Sequence, residues 1–346
     1  MTESQASSFQ SLTRSNASIE LRSLVRRFRR RKKAEAERII DQRHALATVA
    51  RVPSPVTLPL YSGVREACLE ATITDTFTAL QQAITTHVRK YYSLKQVEKG
   101  ASRVTIDRAT SGIDTPWTQI AELLSDQTTR LGALTLCIGW TILSRTLLLE
   151  STPGNRPGST LLPPEILECF QSFSVEIGAA VLEADEHPQQ VNFALLSRWQ
   201  QISATLMHSA YMNHPFTNFD SRAANIERAL NDLGPLFEVY ALPRTYVRRH
   251  KDLREILKAG ATFAFMLFSQ PCFWRFDWSS PQHFHERVED QIGVSPERSS
   301  VDSHFDPDEV IIWPTLLRVM DGDGRRIPHG VEGHAFGRKV SLTEST

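Results

Sequence analysis

Two histidines and several carboxylates lie close together in the sequence HFHERVED. On a helix His283, Glu286 and Asp290 project to one side, because residues three and four apart share a face, and His285 projects elsewhere. Imidazole nitrogens and carboxylate oxygens bind divalent metals and also act as acids or bases. His304, in the following loop, adds a ligand only if the fold returns it to the cluster. The stretch is a candidate metal or acid–base site, and a surface network of histidines and carboxylates is the default interpretation.

A second acidic stretch, DGDGRRIPHGVE at 321–332, has acids at positions 1, 3 and 12 of a calcium-binding loop. Arg325 occupies the fifth position, where its charge would repel calcium. Arg326 replaces the glycine that the sixth position needs. We therefore predict a tight turn between two strands here, and no cofactor.

Signatures of the common enzyme classes are missing from the sequence. It contains no GxSxG, no GxxxxGK[ST] and no GxGxxG after a strand. Its four cysteines are widely separated, which argues against a zinc ribbon or a disulfide framework and favours buried thiols in a reducing compartment. They are Cys68, Cys137, Cys169 and Cys272.

The strongest charge feature is a run of cations near the N-terminus, VRRFRRRKK, with seven cations in nine positions. On a helix Leu21, Leu24, Val25 and Phe28 share one face and arginines cover the other. Arginine suits such a segment because its guanidinium stays charged and grips phosphate or carboxylate with two hydrogen bonds. The cations of this basic arm are Arg22, Arg26, Arg27, Arg29, Arg30, Arg31, Lys32 and Lys33.

Several functions fit the basic arm: a nuclear-import signal, contact with nucleic acid or anionic lipid, or an incidental solvated helix. A DNA-binding basic zipper needs three to four heptads after the basic region. Ile39 and Leu46 supply one seven-residue step, and Pro53 stands where the next apolar residue should be. The zipper interpretation is therefore disfavoured.

The charge of the chain is unevenly distributed. Lys plus Arg and Asp plus Glu number 39 each, and eight of the basic residues lie in the arm. The remainder is formally about eight charges negative, so the arm can reach outward or fold back. The N-terminus lacks the apolar region of a secretory signal, which predicts an intracellular chain. No transmembrane segment is expected, because Leu131–Leu143 is too short to span a bilayer.

Helical patterns dominate the first 270 residues. A basic helix is predicted over 20–52, and a second helix has Phe77, Leu80, Ile84, Val88 and Tyr91 at three- and four-residue steps. A short strand is predicted at Val104–Ile106. Further helices are predicted over 115–149, from Pro164 to Ala184, over 191–212 and over 250–268. The helix over 191–212 carries a stripe of Leu195, Trp199, Ile202 and Leu206. Another helix is predicted to begin after Asp220, which caps it, and to end at Gly234.

The texture changes beyond Gln270. Four aromatic residues, Phe273, Trp274, Phe276 and Trp278, follow within a few positions and are expected to pack between the helical body and later strands. The segments EVIIWPTLLRVM and GHAFGRKVSL are rich in β-branched residues, and the intervening Asp-Gly pairs indicate a hairpin turn. This predicts a small antiparallel β ribbon.

Three stretches, DTFTALQQAITTHVRKYY, SRWQQISATLMH and VIIWPTLLRVMDGDGRR, resemble a group of helical proteins of filamentous fungi that have no assigned activity. The resemblance covers roughly residues 60–325 and concerns texture and order. It implies an intracellular helical body and carries over no site residues.

These observations predict a mainly α fold, with a bundle-like multi-helix body and a small C-terminal antiparallel β ribbon. The predicted organisation is a disordered tail at 1–19, the arm at 20–52, a helical body at 60–270 with a seam at 151–162, an aromatic and His-rich segment at 271–340 and a tail at 341–346. The favoured function is a non-enzymatic interaction or regulatory protein in the nucleus or cytoplasm, with a protein partner. The alternatives are an enzyme using the C-terminal cluster and peripheral membrane binding through the arm.

Overall fold

The computed structural model of the protein describes residues 63–97, 100–148, 160–172, 189–217, 220–279, 310–328 and 333–343. The chain divides into two units, Met1–Gly63 and Val64–Thr346, and Gly63 alone of the first unit is described. The second unit contains the helices and strands that follow.

Helices make up most of the described chain, as the sequence predicted. A π-helical turn, Ser209–Asn213, continues the sixth helix. None of the described helices is long and apolar enough to cross a membrane. In chain order they are α1 Glu70–Tyr91, α2 Arg103–Ala109, α3 Trp117–Ser125, α4 Arg130–Leu143, α5 Pro164–Ser172, α6 Gln189–His208, α7 Ala223–Glu238 and α8 Tyr246–Phe268.

The C-terminal strands form two small antiparallel sheets, which confirms the predicted β part. One sheet has the order β1–β3–β4 and the other pairs β2 with β5. The last strand extends into the tail predicted at 341–346, and Leu342 is 1% exposed. The strands are β1 Phe273–Asp277, β2 Ile311–Trp313, β3 Thr315–Met320, β4 Ala335–Phe336 and β5 Val340–Ser341.

The core is centred on α1. Its predicted apolar stripe is confirmed, because none of its five side chains is more than 5% exposed. They are Phe77, Leu80, Ile84, Val88 and Tyr91. The Phe77 ring lies 5.4 Å from that of Phe263 in α8, 5.9 Å from that of Phe276 in β1 and 5.0 Å from that of Trp313 in β2. One side chain of α1 thus joins the helical body to both sheets.

The strand predicted at Val104–Ile106 is wrong, since these residues belong to α2. The Ser102 side chain accepts a hydrogen bond from the Thr105 amide, which satisfies a free donor at the helix start. Ile106 and Ala109 face the core on the inner side. A cap and one buried face outweigh the β propensity of three β-branched residues.

The single helix predicted from residue 115 to 149 is two helices, α3 and α4. The Asp126 carboxylate accepts hydrogen bonds from the amide and the hydroxyl of Thr128, which turns the chain between them. The buried guanidinium of Arg130 donates to the carbonyls of Leu124 and Ser125. These bonds satisfy the free carbonyls at the end of α3, so the break is stable.

Helix α7 does not end at Gly234, where the sequence predicted. It continues through Pro235 to Glu238, and Leu233, Leu236 and Phe237 are at most 1% exposed. Burial of this last turn offsets the hydrogen bond that proline cannot make. The predicted cap residue Asp220 instead binds the backbone and guanidinium of Arg222.

The C-terminal aromatic residues pack as predicted. The Phe273 ring lies 5.2 Å from that of Phe193 in α6, and the Trp278 ring lies 5.3 Å from that of Trp140 in α4. The predicted tight turn also forms, because the Asp321 carboxylate accepts hydrogen bonds from the amides of Asp323 and Arg325.

Candidate functional site

The residues that the sequence marked for chemistry lie outside the described part of the chain. The basic arm precedes residue 63, and the cluster of His283, His285, Glu286, Asp290 and His304 falls within 280–309. Both candidate sites therefore stay predictions. Among the described residues, no group of three or more His, Cys, Asp or Glu side chains is arranged to hold a metal ion.

A small cavity lies between α6, the end of α8 and β1. Its volume is about 20 Å³, which is room for about one water molecule. Gln200 Oε1 and Trp274 Nε1, both on residues that line it, are buried and have no hydrogen-bond partner among the described residues. The Cys272 thiol also lines it, and burial raises the pKa of that thiol to about 12, so it stays protonated. The cavity suits a water-sized group better than an organic substrate.

A buried polar cluster connects α1 to α8. His87 Nδ1 lies 2.7 Å from Asp252 Oδ2, and its Nε2 lies 3.3 Å from the hydroxyl of Tyr92. Burial lowers the pKa of His87 although Asp252 opposes this shift, which favours a neutral ring that donates to the carboxylate and accepts from Tyr92. Burial also raises the pKa of Tyr92. The cluster has the groups of a proton relay, but its histidine is 1% exposed.

A fully buried ion pair anchors the start of α7. The Arg222 guanidinium donates to both carboxylate oxygens of Asp220 and to the carbonyls of Ala261 and Tyr211. Its remaining surface packs on the rings of Tyr211 and Phe216. Every one of these contacts holds chain segments together, so we assign this pair a structural role.

Helix α6 carries apolar side chains on two opposite faces. Phe193, Leu196 and Ala204 are at most 8% exposed and face the core. The opposite face is the predicted stripe, and it is not buried: Leu195 is 57% exposed, Ile202 50% and Leu206 79%. At 100° per residue these three positions lie within about 40° of one another. We call Leu195, Ile202 and Leu206 the α6 stripe.

Cations border the α6 stripe. Arg198 is exposed on the helix beside it, and Phe193–His208 contains no Asp or Glu. On the same edge, the backbone amide of Arg65 donates to Thr205 Oγ1 at 3.1 Å. The charge of Arg65, together with the larger effect of burial, lowers the pKa of His208. The stripe is thus an exposed apolar row with positive charge along one edge.

Trp199 differs from the other three residues of the predicted stripe. It belongs to the same periodic set, but it is partly buried, with its ring 5.6 Å from that of Phe268 and 6.4 Å from that of Phe170. It closes the core at the edge of the helix, and the other three members extend beyond that edge. The sequence does contain a signal that the stripe is exposed, namely a second apolar face on the same helix that includes Phe193 and Leu196. A helix at the surface of a protein normally needs only one apolar face to pack on the core.

Comparison with family models, with curated proteins and with solved structures finds no match to this chain.

Proposed function

We propose that the chain is a non-enzymatic interaction protein that binds a helix of a protein partner on the α6 stripe. The observation that carries this proposal is the exposure of Leu195, Ile202 and Leu206 along one face of a helix whose other face is already in the core. Helices that pack their apolar face against a partner carry anchors at such four- and seven-residue spacings. Clustered exposed apolar side chains commonly mark interaction sites.

The charges at the edge indicate the chemistry of the partner. Arg198 and Arg65 border the stripe, so an amphipathic helix with carboxylates beside its apolar row is complementary to it. A second copy of the chain fits less well, since pairing two α6 stripes would bring the cations of both copies together.

The free energy available from burying the stripe is too small for binding by the stripe alone, which supports a partner that covers more than the stripe. Burying what remains exposed of three aliphatic side chains contributes about 3–5 kcal/mol. Association costs about 4–15 kcal/mol in lost freedom of motion. The apolar anchors therefore need help from flanking contacts, which carboxylates opposite Arg198 and Arg65 supply.

The basic arm adds a second element to this proposal. We keep it as a nuclear-import or docking segment, in which its cations meet an acidic groove or phosphates, and the chain is then an intracellular protein of the nucleus or cytoplasm. Charge segregation in the sequence supports this role. Its test is the nuclear-to-cytoplasmic ratio of a fluorescent fusion whose seven cations from Arg26 to Lys33 are replaced by Gln. An unchanged ratio contradicts import.

The enzymatic alternative and the resemblance to fungal helical proteins both stay predictions. The alternative depends on His283, His285, Glu286, Asp290 and His304, which the structure does not describe. Stoichiometric zinc, manganese or iron in the purified protein would favour it over the interaction role.

The α6 stripe is tested by site-specific cross-linking. A photoreactive amino acid at Ile202, which is 50% exposed, is expected to cross-link a partner that the same group at Val104 on α2, 67% exposed, does not reach. The partner is then purified and titrated calorimetrically against the native chain, Leu206→Asp and the control Val104→Asp. We expect Leu206→Asp to weaken binding at least tenfold, because it places a buried charge in the interface.

Two results contradict the stripe as a docking site. The first is cross-linking that is the same from Ile202 and Val104. The second is a partner whose affinity does not change with Leu206→Asp, provided the circular dichroism spectra of the variant and the native chain agree.

A further inference from the structure

A second exposed surface lies where α1 ends and α8 begins. The two helices run antiparallel there, since His87 bonds Asp252 and the amide of Leu242 donates to the carbonyl of Tyr91 at 2.9 Å. This junction brings together side chains from both helix ends and the loop before α8. We call it the α1–α8 corner, and it consists of Lys90, Arg244, Tyr246, Val247, Arg248 and Lys251.

The corner is strongly cationic. Residues 87–91 and 244–252 contain six Lys or Arg and one acid, Asp252, which is bonded to His87. Arg249 is buried and pairs with Glu238 at 2.9 Å. The four cations of the corner are exposed, and Arg244, Arg248 and Lys251 make no ion pair with a described residue. The corner therefore carries a net positive charge on a body that is negative overall.

Lys90 of α1 and Arg248 of α8 are close enough for their charges to interact. A hydrogen bond with Tyr91 raises the pKa of Lys90, the charge of Asp252 adds to this shift, and the charge of Arg248 opposes it. The ammonium of Lys90 also lies 4.8 Å from the centre of the Tyr91 ring. The corner thus joins cations from both helices on one surface.

Apolar side chains stand among these cations. Val247 is 76% exposed and Tyr246 57%. The ring of Tyr246 packs against that of His250, with ring centroids 4.0 Å apart and the two planes tilted by 36°. Val247 and Lys251 are four residues apart, so they point to the same side of α8.

We propose that the α1–α8 corner binds the surface of an anionic phospholipid bilayer. Cations beside an exposed valine and a tyrosine match a membrane interface, where negative headgroups lie above an apolar layer and tyrosine occupies the boundary. Nucleic acid fits less well, because the exposed Val247 has neither a charge for phosphate nor a ring for stacking on bases, and the Tyr246 ring already contacts His250. This surface is distinct from both the α6 stripe and the basic arm.

The test uses full-length protein whose eight arm cations are replaced by Gln, so that binding by the arm does not mask the corner. Co-sedimentation is measured with vesicles of phosphatidylcholine containing 30% phosphatidylserine and with pure phosphatidylcholine. We expect binding to the anionic vesicles that decreases as salt screens the charges. Arg248→Gln/Lys251→Gln should weaken it about 25-fold, because each cation near an anionic surface contributes about fivefold.

A matched pair of variants separates the corner from a general surface effect. Val247→Ser/Lys251→Gln removes one exposed apolar residue and one exposed cation four positions apart. Val104→Ser/Arg108→Gln makes the same change on the exposed side of α2. We expect the first variant to lose at least fivefold in binding and the second to stay within twofold, with equal unfolding midpoints for both.

Three results overturn the proposal. One is equal loss of binding in the two matched variants. Another is equal binding to anionic and to neutral vesicles. The third is binding to duplex DNA, but not to vesicles, that depends on Arg248 and Lys251, which would assign the corner to nucleic acid.

Discussion

Helices α1 and α6 carry similar apolar stripes in the sequence and have opposite fates in the structure. The α1 stripe, which includes Phe77 and Ile84, is at most 5% exposed, whereas Ile202 and Leu206 of the α6 stripe are 50% and 79% exposed. Periodicity therefore identifies an apolar face without saying what covers it. In α1 the cover is α8 and both sheets; in α6 the core takes the opposite face.

The largest loss of stability is expected when Phe77, in the buried α1 stripe, is truncated. Phe77→Ala removes a ring that three other aromatic rings contact, and we expect the free energy of unfolding to fall by about 3–5 kcal/mol. Urea unfolding monitored by circular dichroism measures it. A loss below about 1 kcal/mol would contradict the central position of α1.

A smaller effect tests how closely the helices that cover α1 approach each other. A Cβ at Gly260 of α8 would lie 2.6 Å from Ile142 Cγ2 in α4, so Gly260→Ala should destabilise by about 1–2 kcal/mol despite better helix propensity. Gly234→Ala in α7 is the control, since nothing beyond its chain neighbours lies within 4 Å of its Cβ. There the gain in helix propensity is opposed only by contact with the following Pro235, so the free energy of unfolding should change by less than about 0.5 kcal/mol. An equal loss of stability in both variants would refute close packing at Gly260.

The buried side of α1 also makes stability depend on pH. Burial lowers the pKa of His87, so the unfolded chain takes up a proton more readily than the folded chain. Stability is therefore complete above the unfolded value of about 6.5 and decreases as the pH falls below it. Between about pH 7.5 and 5.5, His87→Gln should reduce this loss of the free energy of unfolding, as measured by urea unfolding at both pH values. His214→Gln, at an exposed position, should not.

The smallest effect is expected for the α6 stripe in the isolated protein. Ile202→Ser and Leu206→Ser should each change the free energy of unfolding by less than about 0.5 kcal/mol, since both side chains are at least half exposed. Thermal unfolding of the purified variants measures this. A loss near that of Phe77→Ala would mean that the stripe is covered within the chain, and the contrast with α1 would disappear.

Much of the fold could be predicted from the sequence, and the errors have identifiable causes. Hydrophobic spacing located α1, α6 and α8, and Asp-Gly pairs located the hairpin turn after β3. The break between α3 and α4 was missed because it depends on Arg130, whose side chain reaches the carbonyls of Leu124 and Ser125 only in the folded chain. The continuation of α7 past Gly234 was missed because burial of Phe237 outweighs a local breaker.

The two candidate binding surfaces were harder to predict from the sequence than the fold was. The α6 stripe was visible as a pattern, but its exposure depends on which face meets Phe268 and Phe273. The α1–α8 corner joins Lys90 to Arg248, residues that are far apart in sequence and meet because the two helices pack antiparallel.

The sequence by itself determined the class of fold, the positions of most helices, the tight turn at Asp321 and the uneven distribution of charge. These follow from local chemistry: periodicity, caps, turn residues and composition. Only the tertiary structure decided which apolar faces are buried, where helices end against their neighbours and which cations gather on one surface. Those outcomes depend on contacts between residues distant in the chain, such as His87 with Asp252, and local propensity does not encode the choice among them.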